Sequence, residues 1–165
     1  MTLDFSVLDN EVPDGANPTV VVSIPTQPSQ PRKKFVAPKF GAGGFSWPVE
    51  GEIITEFGPS ARGVHNDGVN IAANVGARVT VSANGTVAFV GDNIKNFGKL
   101  VLVKHDGGII TAYAHLDSIS VNEGDVLYAG DPIGNVGTTG RVDRPQLHFE
   151  IRKSRKPIDP RSLIS

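Results

Sequence analysis

The sequence predicts an all-β, antiparallel domain that follows an extended linker. Short apolar runs punctuated by glycine occupy the chain from about residue 45 onward, and no amphipathic helix of useful length interrupts them. Asn84-Gly85 and Asp106-Gly107-Gly108 are turn signals, because these residue types adopt the backbone angles that tight hairpins need. We therefore expect an antiparallel sheet or sandwich in residues 45–165.

Residues 1–44 are expected to form a proline-rich, largely irregular linker or tail. Half of the twelve prolines lie before Gly44, and this composition does not bury enough apolar surface to offset the entropy of ordering. Pro25 to Pro31 is expected to be extended and polyproline-like. Thr19 to Ile24 (TVVVSI) is the one apolar run in this segment, and it could add to a sheet edge.

The predicted strands then follow one another at close spacing. In chain order they are IITEF, VNIAA, RVTVSA, GTVAFVG, KLVLVKH, IITAYAHL, PIGNVG and QLHFEIR. Apolar and β-branched residues dominate each run, and glycine, asparagine or aspartate separates most of them, as is typical of antiparallel strands. Gly137-Thr138-Thr139-Gly140 is expected to form a tight loop just before the last of these strands.

The hairpin at residues 99–116 is the best-defined local unit. Strict alternation along its second strand predicts two faces, one with Ala112, Ala114 and Leu116 and the other with Thr111, Tyr113 and His115. His115 ends the strand, where its side chain can reach into a groove. His105, beside the Asp106-Gly107 turn, is expected to be a solvated turn residue.

The strand beginning PQLHFE (145–150) combines a core face with a polar face. In an extended strand Gln146, His148 and Glu150 point one way, whereas Leu147, Phe149 and Ile151 point the other way. The apolar face is expected to lie in the core. The polar face is expected to line a site.

Charge and composition exclude several classes of partner. A net charge of −1 argues against an extended surface for nucleic acid or an anionic membrane. The basic clusters Arg32-Lys33-Lys34 and Arg152 to Lys156 are expected to be solvated. With no cysteine, neither a disulfide nor a thiolate metal site can form. No apolar run is long enough to span a membrane, and Met1 to Asn10 lacks the features of a signal peptide, so any export signal is expected to lie outside this sequence.

Four segments in order resemble the lysostaphin/LytM family of zinc peptidases. They are GVHNDGVNIAA (63–73), TAYAHL (111–116), VNEGDVLYAGDPIGNVGTTG (121–140) and PQLHFEIR (145–152). The resemblance covers about two thirds of the chain, from Trp47 to Pro160. It implies a LytM-type (duplicated-hybrid-motif) fold with a groove across an antiparallel sheet, and bacterial peptidoglycan as the relevant polymer.

The resemblance also implies a catalytic site, which this sequence retains only in part. Active members bind zinc through a histidine, an aspartate four residues later and the second histidine of an HxH pair. The first HxH histidine and the AHL histidine assist the attacking water. His115 and His148 match two of these positions, whereas Asn66, Asn70 and Gln146 replace the other three.

These replacements predict a domain with no catalytic residues and no metal or cofactor. An amide oxygen is a weak zinc ligand, and glutamine does not titrate and so cannot act as a base. His115 and His148 are then expected to be hydrogen-bonded to the amides in a polar cleft. His65 lies one residue out of register and is expected to point away. A local bulge that turned His65 inward would instead give a zinc set of His65, His115 and His148.

The resemblance is strongest to members that have lost the zinc site, namely the NlpD, EnvC and DipM activators of cell-wall amidases. It implies that Asn66, Asn70, His115, Gln146 and His148 line a groove that docks an N-acetylmuramyl-L-alanine amidase or another peptidoglycan hydrolase during cell division. It also implies a periplasmic location in the bacterial envelope, with an outer-membrane anchor in upstream sequence as a further expectation. A zinc endopeptidase and a passive peptidoglycan-binding module are the alternatives.

Overall fold

The computed structural model describes residues 44–164, and its regular structure is almost entirely β-strand. The strands are β1 (Glu52–Thr55), β2 (Gly58–Pro59), β3 (His65–Asn66), β4 (Val69–Ala72), β5 (Arg78–Thr80), β6 (Gly85–Ile94), β7 (Gly98–His105), β8 (Ile109–Ile119), β9 (Val126–Leu127), β10 (Pro132–Val136), β11 (Gln146–Lys153) and β12 (Lys156–Ile158). One 3-10 turn, Pro160–Ser162, follows β12. Within the described range there is no α-helix, and no helix has the length and hydropathy needed to cross a bilayer.

All paired strands are antiparallel, which confirms the predicted fold class. Ten strands form one sheet whose main path runs β1-β4-β11-β8-β7-β6-β9, with β10 joining β5 to β8 and β12 extending from β11. β2 and β3 form a separate pair. The central place of β11, between β4 and β8, brings residues from three distant segments of the chain onto one surface.

The core lies mainly on one face of this sheet. Phe149 of β11, Tyr113 of β8 and Ile71 of β4 are at most 1% exposed and belong to the larger apolar cluster. A smaller cluster on the other face contains Leu102 and Ala112. Burial of a large apolar side chain stabilises the fold by about 1.5–3 kcal/mol. The apolar residues of β4, β8 and β11 are therefore committed to the core, and only their polar side chains are left to form a site.

The expected alternation along the second hairpin strand is wrong at its end. Lys99 pairs with Leu116 and Val101 pairs with Tyr113, so β8 contains one more residue than β7 between these pairs. His115 occupies this bulge with a φ of 65°, a left-handed conformation that is uncommon for histidine. As a result Leu116 packs in the larger cluster with Tyr113, and His115 faces the side of Ala114 instead.

His105 is not the solvated turn residue that its position predicts. Its ring packs edge-on to Phe45, and its Nδ1 atom lies 2.7 Å from the Asn84 carbonyl oxygen. Its Nε2 atom lies 2.8 Å from the hydroxyl of Thr111, which in turn donates to the buried Tyr113 hydroxyl. Burial is the main cause that lowers the pKa of His105, against the Asn84 carbonyl and Asp106, which raise it. His105, beside the Asp106-Gly107 turn, is therefore tied to the Asn84-Gly85 turn by a hydrogen bond.

Apart from Gly44, the predictions for the linker concern residues outside the described range. These are the irregular conformation of residues 1–44, the extended Pro25 to Pro31, the strand Thr19 to Ile24 and the solvated cluster Arg32-Lys33-Lys34. They stay predictions.

Candidate functional site

The candidate site lies on the polar face of β11. Across the sheet, His148 pairs with Asn70 of β4 on one side and with Ala114 of β8 on the other. Gln146, His148, Glu150 and Arg152 alternate along β11, and each is no more than 6% exposed. Four consecutive polar side chains on one buried face require partners for nearly every polar atom, because an unpaired buried group costs about 1–3 kcal/mol.

His148 uses both ring nitrogens. Its Nδ1 atom lies 3.0 Å from Oδ1 of Asn70, and its Nε2 atom lies 2.8 Å from Oε1 of Glu150. Burial alone would raise the pKa of Glu150, but the hydrogen bond and charge of His148 and of Arg152 outweigh it, so this pKa lies below its usual value. Glu150 is therefore an ionised acceptor. His148 donates to it and keeps no free lone pair on Nε2.

The orientation of Asn70 is set by its neighbours. Gln146 donates through Nε2 to the backbone carbonyl of Arg144 at 3.2 Å, which leaves its Oε1 atom to accept from Nδ2 of Asn70 at 2.7 Å. Asn66 donates through Nδ2 to the Glu56 carbonyl and to Oδ1 of Asn70. Oδ1 of Asn70 thus accepts from both Asn66 and His148, so His148 also donates through Nδ1.

The far end of the polar face continues as a row of buried ion pairs. Arg152 donates from Nε to Glu150 at 2.8 Å and from Nη2 to Asp67 at 3.0 Å. Asp67, itself 7% exposed, also accepts from Nδ1 of His65 at 3.0 Å. Arg152 is therefore not solvated as its basic cluster predicts, although Lys153 to Lys156 are exposed. The row holds the bend between β3 and β4 against β11.

Gly68 allows this bend to approach β11 closely. A Cβ atom at residue 68 would lie 2.2 Å from the backbone oxygen of Phe149 and 2.8 Å from Cγ of Glu150. Any other residue would push the bend off the strand. The glycine therefore keeps Asn66 and Asn70, on either side of it, within reach of β11.

His115 faces the same cleft from β8. Its ring is stacked on Phe97 with centroids 6.3 Å apart and lies 6.1 Å from the ring of His148. Nδ1 donates to the Thr139 carbonyl at 2.8 Å, so Nε2 carries the lone pair. Burial, reinforced by the charge of His148 and opposed by the Thr139 carbonyl, lowers the pKa of His115 to about 4. His115 is consequently neutral near pH 7.

These residues do not fit a zinc ion. A catalytic zinc takes three protein ligands with free lone pairs and an open fourth position. Here both nitrogens of His148 donate, and Oδ1 of Asn70 already accepts two hydrogen bonds. Within residues 44–164, no three histidine, cysteine, aspartate or glutamate side chains are grouped so that they could hold a metal ion.

The structure does not bring His65 to His115 and His148. The His65 side chain is 49% exposed, and its described contacts are Asp67 and the edge of the Phe57 ring. By contrast, Asn66, Asn70, Gln146 and His148 lie in one hydrogen-bonded chain, with His115 beside it. Asp67 and Arg152 were not predicted as parts of the site, whereas Glu150 was placed on the polar face without a role of its own. The alternation of polar residues from Gln146 to Arg152 was the available signal.

An open groove lies above the amides. It has a volume of about 590 Å³ and is lined by Asn70, Gly140, Arg141, Val142, Asp143 and Gln146. The loop before β11 forms one wall and the amides form the floor. A groove that is open to solvent and lined mainly by polar residues can receive a peptide segment.

An antiparallel sheet with a groove lined by Asn70 and Gln146, and with His148 and His115 beside these amides, has the LytM-type fold of zinc peptidases. The sequence model of Peptidase family M23 matches residues 64–160, which is more than half of the chain. The chain belongs to this family.

Individual relatives agree with this membership. The cell division protein DipM of Caulobacter vibrioides is 45% identical over 130 residues, covering 75% of this chain and 21% of that protein. The murein hydrolase activator NlpD of Escherichia coli is 38% identical over 114 residues, covering 69% of this chain and 29% of that protein. A zinc-containing peptidase from Vibrio cholerae superposes with a TM-score of 0.66 at 31% identity, covering 71% of this chain and 39% of that structure. This chain therefore spans less than a third of either curated relative.

Proposed function

We propose that this domain is a catalytically inactive M23 member that binds and activates a peptidoglycan hydrolase during cell-wall remodelling and division. The observation that carries the proposal is the contact between Asn70 and His148. The amide oxygen of Asn70 is hydrogen-bonded to the ring nitrogen of His148 that a zinc ion would need as a ligand. The groove above this contact is open. The domain has kept a binding surface and lost the means of hydrolysis.

The relatives support the same role. One similar protein is named a murein hydrolase activator, which describes control of hydrolysis rather than hydrolysis itself, and another is named a cell division protein. Because this chain spans only part of each, the activity of the whole protein and its partner are included in the proposal. We further propose that the partner is an N-acetylmuramyl-L-alanine amidase and that no metal or cofactor is required.

The proposed location follows from the proposed activity. A protein that acts on peptidoglycan hydrolases must meet them where the polymer is, in the bacterial cell envelope. We place this domain in the periplasm, with an anchor at the outer membrane carried by upstream sequence as the finer proposal.

Activation requires that the groove bind one state of the partner more tightly than another. An amidase that exists mainly in a self-inhibited state shifts toward its open state only to the extent that the groove prefers the open form. A preference of about 100-fold, or about 2.7 kcal/mol, would turn a 1% open population into about half. Neither zinc nor a proton transfer enters this step.

A dye-release assay on labelled sacculi tests the proposal. The full chain alone should release no dye, and it should increase release by the amidases of its own bacterium. Gln146→Ala should reduce this increase, because it removes the floor of the groove, whereas Arg78→Gln, in an exposed position on β5, should not.

Other outcomes would overturn the proposal in distinguishable ways. Cleavage of peptide cross-links by the chain alone would identify a zinc endopeptidase. Co-sedimentation with sacculi, without stimulation of any amidase, would identify a passive peptidoglycan-binding module.

A further inference from the structure

Three exposed basic residues belong to the groove lining or to segments that adjoin it. Arg141, which lines the groove, and Arg144, whose carbonyl holds Gln146, are both exposed. Lys95 is exposed beside Asn96, whose carbonyl accepts from the backbone N–H of Arg141 at 3.0 Å. Within residues 44–164 none of these three side chains forms an ion pair or hydrogen bond. Asp143 is the one acidic residue lining the groove, on a chain whose net charge is −1.

The floor of the groove is rich in hydrogen-bond donors. Both lone pairs of Oδ1 of Asn70 are used by Asn66 and His148. Nδ2 of Asn70 and Nε2 of Gln146 each donate one described hydrogen bond and each retain a second N–H. Among the side chains that line the groove, the remaining acceptors are one lone pair on Gln146 and the carboxylate of Asp143.

We infer that the groove recognises a carboxylate, and specifically an aspartate or glutamate side chain on a peptide segment of the partner hydrolase. The two spare amide N–H groups and the arginines match its oxygens, because arginine binds carboxylates through paired, charge-assisted hydrogen bonds. Asp143 and the free lone pair of Gln146 match the backbone N–H groups that flank such a side chain. This inference rests on the proposed function and adds the chemistry of the contact.

A peptide ligand fits these observations better than a simple anion. A small anion offers no donors for Asp143, which would repel it, whereas a peptide presents a carboxylate and N–H groups together. Gln146 is 94% buried, as its 6% exposure shows, so its amide is held in place for binding by Asn70 and the Arg144 carbonyl. Such preorganisation reduces the entropic cost of binding.

Nuclear magnetic resonance on the full ¹⁵N-labelled chain tests the inference directly. The probes are acetyl-Ala-Glu-Ala-amide, its isosteric glutamine form and purified monomeric muropeptides. The side-chain NH₂ signals of Asn70 and Gln146 should shift with the glutamate peptide, and the glutamine form should bind about tenfold or more weakly. Arg141→Gln and Arg144→Gln should each lower the affinity for the glutamate peptide by about tenfold or more, whereas Arg78→Gln should leave this affinity unchanged.

Two results would overturn the inference. Equal shifts with the two peptides, or no shift with either, would show that the groove does not select a carboxylate. A response to muropeptides alone would show that the carboxylate belongs to peptidoglycan rather than to a protein partner.

The dye-release assay separates failure of this inference from failure of the proposed function. If the unsubstituted chain stimulates an amidase and the Arg141→Gln/Arg144→Gln double variant stimulates it equally, the carboxylate contact is wrong and the function stands. If the unsubstituted chain stimulates none, the proposed function itself fails. Loss of stimulation in the double variant, with Arg78→Gln fully active, supports both.

Discussion

Oδ1 of Asn70 lies 3.0 Å from Nδ1 of His148 and accepts its hydrogen bond. Nε2 of the same histidine donates a hydrogen bond to the carboxylate of Glu150 at 2.8 Å. Metal-binding histidines commonly donate their second nitrogen to a carboxylate, which fixes the ring and the tautomer. Glu150 gives His148 the kind of support that a metal-binding histidine has, and the other ring nitrogen of His148 is hydrogen-bonded to an amide oxygen.

Restoring the three substituted positions should restore metal binding. The triple variant Asn66→His, Asn70→Asp and Gln146→His should gain about one zinc per chain, because Glu150 already directs Nδ1 of His148 toward residue 70. Isothermal titration with zinc provides the measurement. Adding His148→Ala to the triple variant is the control and should abolish binding. A folded triple variant with no affinity for zinc would contradict the assigned register.

Breaking the buried ion row should destabilise the fold. Arg152→Met leaves the carboxylates of Glu150 and Asp67 buried without their cation, and the free energy of unfolding should fall by about 3–5 kcal/mol. Chemical denaturation measures this change. Arg161→Met is the matched control, since its partners Asp159 and Glu56 lie at the surface, and it should be hard to distinguish from the unsubstituted chain. Similar losses for the two variants would show that the buried row adds no stability.

Stability should depend on pH through His115. Because the pKa of His115 is about 4 in the fold and about 6.5 in the unfolded chain, the unfolded state binds more protons between these values. The contribution of His115 is complete above pH 6.5 and is lost as the pH falls toward 4, an effect of about 3 kcal/mol. Denaturation curves at several pH values should show this slope, and His115→Asn should remove much of it.

The exposed His65 gives a control for the same experiment. His65→Asn should leave the slope that belongs to His115 in place, since His65 is half exposed and contacts neither His115 nor His148 in the described structure. An unchanged slope in His115→Asn would contradict the buried, neutral state of that residue.

Most of the fold could be predicted because the residues within each long strand are enough to indicate that strand. Alternating apolar residues and glycine-rich turns specify long strands such as β7, β8 and β11 without knowledge of their neighbours. The two-residue strands β2, β3 and β9 were not predicted, because pairs such as Gly58–Pro59 contain too few residues to show a period. They depend on pairing across the chain.

The site could be predicted only as far as strand alternation and family likeness reach. These place Asn70, Gln146 and His148 near one another, but alternation gave the wrong face for His115. A single bulged residue reverses every side chain that follows it, and its position depends on the register between β7 and β8. Asp67 and Arg152 meet only in the folded sheet, 85 residues apart in sequence.

The zinc content of the full chain is the measurement that decides whether this domain has a working metal site. The protein should be purified without chelator, offered zinc, dialysed and measured by elemental analysis, with the triple variant as the positive control. We expect far less than one zinc per chain, because Nδ1 of His148 is hydrogen-bonded to the amide oxygen of Asn70 and has no lone pair free for a metal. About one zinc per chain retained through dialysis would contradict it and would direct attention to cleavage of peptidoglycan cross-links.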